Sequence, residues 1–258
     1  MSATTITPTK PTLSTNDSAV LQALFDAESS PSSGVTIDPT LPQLPTHLNI
    51  SAKEHALLQA REKEIIQPLA STSPESESVP GIESIRLTIQ ALNDLIEKNP
   101  SYPSAYANRA QALRMLLDNE QELQSPSERP ETLSTLLASL EKAITLLTPL
   151  SPSNPVSSYQ ARLLADTHTH RGYLLLKTSR DLKTTTTTSQ DIPSIPRKLL
   201  EAGPEALEEM ASRDFFMGGW YGNKVAQQMA VQTNPYAKMC GAIVKEAMRK
   251  EVEGGLAG

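Results

Sequence analysis

Few residues in this chain have the type and spacing for chemistry. Thr167-His168-Thr169-His170 sets two imidazoles two positions apart, Cys240 is the lone thiol, and Arg109 and Arg171 each stand directly before a small residue, Ala110 and Gly172. Paired imidazoles suggest a metal ion or a proton relay. On a helix, however, positions two apart diverge by roughly 200°, so these rings cannot ligate one ion from one face. A single cysteine and two further histidines, His47 and His55, complete no ligand set. No serine sits in a nucleophile elbow, no G-x-G-x-x-G or P-loop is present, and the carboxylates are spread along helical stretches. The expectation is a protein that is not an enzyme and uses no metal or cofactor. Two roles are open to the arginines: contact with a partner, or hydrogen bonding between neighbouring helices with the stems buried.

Composition narrows the class. With 258 residues, 38% hydrophobic and 4% aromatic content and 20 prolines, about 200 residues are expected to fold and the remainder to lie outside any core. A net charge of −6, a pI near 5.3 and no extended Lys/Arg run give no footprint for nucleic acid or an anionic membrane. No apolar stretch approaches the roughly 18 residues of a membrane span, and the N-terminus carries no targeting pattern. One cysteine in an apolar helical pattern reads as a buried thiol in a reducing compartment. These features describe a cytoplasmic protein, with the nucleus open to it as well.

The elements that would position these side chains are helical. Residues 1–46 read as a largely disordered N-terminal region holding one short amphipathic helix near 17–27, capped by Asn16 or Asp17 and carrying Val20, Leu21, Leu24 and Phe25 on one face. That face has the layout of a docking anchor, either on the rest of the chain or on a partner. Residues 29–46 are dense in turn formers and read as a linker. Helices are expected over 51–68, 81–98 (with Ile82, Ile85, Ile89, Leu92 and Ile96 as one stripe), 104–118, 131–147, 156–179 and 204–217, the last stopped by Gly218-Gly219. Two more follow over 221–233 and 235–251, then a tail from 252. Polar insertions near 71–80, 119–130 and 180–202 are expected to be mobile.

A repeat relates these helices. The tetratricopeptide-type unit carries W-x2-L-G-x2-Y in its first helix and A-x3-F in its second, with Pro near the end. Tyr106, Arg109, Ala110 and Leu113 occupy the first four places, and Leu136 and Leu140, with Ala143 following, occupy the second pair. His168, Arg171, Gly172 and Leu175 repeat the first pattern, while Thr88, Leu92, Leu95 and Pro100 mark the end of a preceding unit. Helix 51–68 matches poorly and helix 204–217 worse. Three divergent repeats with C-terminal capping helices, an all-α array over 47–251, are the expectation.

The motifs NDSAVLQALFD, SAYANRAQALR, LEKAITLL and NPYAKMC, in that order, are similar to the tetratricopeptide repeat protein 36 family. With its lengthened loops the chain resembles a fungal-type member. The resemblance implies a non-enzymatic adaptor for protein partners: a heat-shock chaperone or, alternatively, a metabolic enzyme of tyrosine metabolism that it protects from turnover. A structural subunit of a larger assembly is a third reading. In chaperone-binding repeat proteins a clamp of Lys, Asn and Arg on the first helices holds two carboxylates. Asn108 matches its middle Asn, but the other places fall on Asp166 and His170, and on Ala56 and Ala60. The candidate concave-face contacts are Asn108, Arg109, His170 and Arg171.

Overall fold

The computed structural model describes residues 34–70, 81–119, 128–185 and 195–234, and among these the fold is all-α. Seven helices follow one another: α1 (Ala52–Ala70), α2 (Ile82–Lys98), α3 (Pro103–Asp118), α4 (Glu128–Leu147), α5 (Ser158–Thr185), α6 (Arg197–Trp220) and α7 (Lys224–Thr233). Each packs chiefly on its neighbours along the chain, so the core extends by adding helices rather than by closing around a centre. None of the described helices is long and apolar enough to cross a membrane. The amphipathic stretch with Val20, Leu21, Leu24 and Phe25, the 71–80 insertion, Cys240 and the helix expected over 235–251 lie outside the described residues.

Local signals set most boundaries. In α2 the spacing of Ile85, Leu92, Leu95 and Ile96 buries one face, and the Asn99 amide closes the end by donating to Leu95 O at 3.1 Å. The Asn99-Pro100 break leads to Pro103 in the first turn of α3, where its missing N–H costs nothing. Tyr102 just before it is fully buried. In α4, Leu136, Leu140, Ala143 and Leu147 are all at 0% exposure, each leucine contributing about 1.5–3 kcal/mol of transfer free energy. Asn223 caps α7 by accepting from Ala226 N at 3.0 Å. Helix α1 continues through Pro68 to Ala70, α4 begins three residues earlier than the pattern suggests, and α5 runs on to Thr185. The insertions after α3 and α5 are correspondingly shorter than expected.

Ala211 and Phe215 of α6, at 0% and 1% exposure, pack against α5. The glycine pair does not stop the helix, which runs to Trp220. Its purpose is proximity: a Cβ on Gly218 would lie 2.7 Å from Thr169 Oγ1 and 3.0 Å from Ala226 Cβ, and one on Gly172 would meet Ala211, Asp214 and Phe215 at 3.2 Å. The break falls earlier, at Gly203, whose φ of 78° kinks the start of α6 before Pro204.

Residues 35–46 are not a free linker. They run as a strap beside the α4–α5 connection, where Ile37 pairs in parallel with Val156, and Asp38 N and Val156 N donate to Val156 O and Thr36 O at 2.9 Å each. Ser157 Oγ donates to Gln43 O at 2.7 Å. His47, in the 3-10 turn Thr46–Leu48, places Nε2 3.0 Å from Leu146 O. Leu44 and Leu48 are buried in the same cluster as Tyr106, Ile144 and Leu164. A turn-rich sequence can hold a fixed course when its backbone groups find partners, and here they find them across the chain.

Candidate functional site

The two arginines flanking small residues have their donors committed inside the array. Arg109 of α3 donates from Nε to Ser139 Oγ of α4 at 3.1 Å and from Nη1 to Asn93 Oδ1 of α2 at 2.9 Å. Its guanidinium lies 5.4 Å from the Tyr106 ring centroid. Arg171 of α5 grips Asp214 of α6 bidentately, Nε to Oδ2 and Nη2 to Oδ1, both at 2.7 Å. His168 adds a third bond, from Nδ1 to Asp214 Oδ1 at 2.8 Å, between side chains only 6% and 4% exposed. Burial would raise the Asp214 carboxyl, but the bonds from His168 and Arg171 and the arginine charge hold it below the usual carboxylate range. The His168 ring stacks on Tyr221 at 6.1 Å.

Ser139 directly precedes Leu140, and Asp214 directly precedes Phe215. Each arginine therefore reaches the residue just before a buried apolar one on the helix that follows, Leu140 of α4 or Phe215 of α6, and the work of both is joining helices.

Asn108 turns to α1. Its amide lies beside the Glu62 carboxylate, whose Oε2 accepts from Tyr102 Oη at 2.7 Å and Ser104 Oγ at 2.8 Å. Glu62 is 5% exposed, and its other oxygen, Oε1, is buried with no hydrogen-bond partner. Burial raises the Glu62 carboxyl, opposed by those three donors, and burial together with the Glu62 charge pushes the Tyr102 phenol up. One turn-pair earlier on α1, His55 sits edge-on to Tyr102 and Tyr159, at 6.0 and 5.2 Å. Burial lowers its pKa, and its Nε2 has no partner.

His170 is the remaining candidate. Burial, reinforced by the Arg114 charge, drives its pKa down to about 4, so the ring is neutral at neutral pH. Asp166 lies beside Arg162 and Asn223, and burial raises its carboxyl. The places where a two-carboxylate clamp needs cations are thus held by a neutral imidazole and an acid, and the matching amide already faces an internal carboxylate. Among the described residues no group of three or more His, Cys, Asp and Glu is placed to hold a metal. Sequence reasoning passed over Glu62 and Asp214, both buried acids. The signal for Asp214 was available, since it sits one residue before Phe215 of an A-x3-F pair.

No family model matches the chain, and no solved structure matches it. A protein of Aspergillus fumigatus described as "L-tyrosine degradation gene cluster protein hmgX" is 56% identical over 260 residues, spanning 98% of each chain. Identity at that level over almost the whole length of both leaves no room for a shared segment on an unrelated frame, and so the chain belongs to the hmgX family.

Proposed function

We propose that the chain is a non-enzymatic scaffold of tyrosine degradation, holding a metabolic enzyme of that route on a tetratricopeptide-type helical array and keeping it from turnover. The observation that carries the reading is the near-full-length relative named for an L-tyrosine degradation gene cluster. The architecture supports it. Stacked helix pairs offer an extended surface suited to protein partners, and the polar residues best placed for chemistry join helices: Arg109 to α2 and α4, and Arg171 and His168 to Asp214. A chaperone-linked adaptor would have to dock without a carboxylate clamp.

The test is capture followed by consequence. Tagged chain is crosslinked in cells growing on L-tyrosine, the bound proteins are identified by mass spectrometry, and the half-life of the captured enzyme is measured with and without the chain. The reading expects an enzyme of tyrosine catabolism that is degraded faster when the chain is absent. Capture of proteins from unrelated routes, or an unchanged half-life, overturns it, as does turnover of a tyrosine catabolite by the purified chain alone.

A further inference from the structure

Near the C-terminal ends of α3 and α5 and the start of α4, a cavity of about 270 Å³ opens. Leu117, Leu133 and Leu174 form an apolar wall, and Arg114, Asp118 and Lys177 line it as well. Arg129 and Asp181 also border it, each with partners of its own. Neither Arg114 nor Lys177 makes a hydrogen bond or ion pair among the described residues, and Arg114 Nε is buried with no acceptor. A buried guanidinium nitrogen left without an acceptor is unusual. The Arg114 charge also reaches the neighbouring His170, where it adds to burial in lowering the imidazole pKa.

We infer that this cavity binds a small organic acid, its carboxylate between Arg114 and Lys177 and its aryl or branched aliphatic body on Leu117, Leu133 and Leu174. Guanidinium recognises carboxylate through paired donors, and three leucines give the rest of such a molecule an apolar surface. The volume lies just below the roughly 300 Å³ at which pockets for drug-sized ligands begin, so a single-ring acid fits better than a peptide. The inference does not rest on the scaffold reading and can fail or stand apart from it.

Titration calorimetry and ligand-observed nuclear magnetic resonance on the full chain test it with three probes of one shape: 3-phenylpropionate, its neutral amide, and phenethylamine. The acid should bind with Kd at or below about 1 mM, and the amide at least about tenfold more weakly. Arg114→Gln and Lys177→Gln should each weaken the acid about tenfold, whereas Arg61→Gln, at an exposed pair with Glu64 on α1, should not. Lys177 makes no bond that folding needs, so its variant keeps the test open if Arg114→Gln does not fold. Equal binding of acid and amide, no saturation by the acid up to about 10 mM, or undiminished binding in Lys177→Gln and in a folded Arg114→Gln overturns the inference. Preferential binding of phenethylamine would assign the cavity to Asp118 and overturn it too.

Discussion

Removing the Asp214 carboxylate tests the internal logic of the repeat most directly. The side chain is 4% exposed and accepts three bonds of 2.7, 2.7 and 2.8 Å from Arg171 and His168. Asp214→Ala strips both donors of their acceptor at once. Breaking a buried ion pair by removing one partner costs about 3–5 kcal/mol. Arg171 is 26% exposed and can draw in some water, which places the expected loss near the lower end, about 3 kcal/mol. The assay is equilibrium urea unfolding followed by far-ultraviolet dichroism. A control, Glu201→Ala, removes the partner of Arg197 in a pair 90% and 61% exposed and should cost no more than about 0.5 kcal/mol. The pH dependence adds a second check. Asp214 is held below its unfolded pKa of about 3.9, so its stabilisation is present above that pH and is lost as pH falls through the folded value. Wild type should therefore lose more stability on acidification than Asp214→Ala. A loss under about 1 kcal/mol, the range of surface pairs, with an unchanged acid limb, would refute the claim that this cluster joins α5 to α6.

Gly218→Ala should destabilise the chain by about 1–3 kcal/mol through overpacking, since the added methyl meets Thr169 Oγ1 at 2.7 Å; a thermal midpoint equal to wild type would show that α5, α6 and α7 are not in close contact there. Glu62→Gln should raise stability at neutral pH, because burial lifts the Glu62 pKa and its stabilisation, full below the unfolded pKa, disappears as pH rises through the folded one. Chemical denaturation at acid and neutral pH reads the difference, and a glutamine variant weaker than wild type at neutral pH contradicts it. If a heat-shock chaperone binds, deleting its acidic C-terminal tail should leave affinity nearly unchanged, given a neutral His170 and the Asp166 carboxyl at the clamp places; a tenfold loss, about 1.4 kcal/mol, in a binding titration argues for a clamp.

The helices and their pairing could be read in the sequence where the signal was local. Tyr106, Ala110 and Leu113 on α3 and Leu136 and Leu140 on α4 show their spacing within single turns, and all five are buried. Reading failed where meaning depended on a distant neighbour. Gly218-Gly219 carries the composition of a helix stop, and only Thr169 and Ala226 reveal that closeness is what it provides. Ala211 and Phe215 lay behind a low-complexity insertion that concealed their packing against α5. The strap looks like a linker because its Pro and Asp are turn formers, while the acceptors and donors that hold it lie on Val156 and Ser157. For the candidate site, sequence left the arginines with two roles. The geometry shows them bonded to Ser139, Asn93 and Asp214. It also places Asn108 on Glu62, a contact hidden because the register of α1 against α3 cannot be read from a helix with only three buried positions.

The strap also sets a timetable during synthesis. Arrays of stacked helices can assemble as they emerge, each unit settling on the one before. Ile37, however, pairs with Val156, which leaves the ribosome 119 residues later, about 6–24 s at roughly 5–20 residues per second. For that interval Leu44 and Leu48, which end in the core, have no finished surface to cover them, although they are among the first core residues made. The nascent chain therefore carries an exposed apolar segment through nearly half of its translation, and α1 to α4 wait for the α4–α5 turn before their N-terminal edge is sealed.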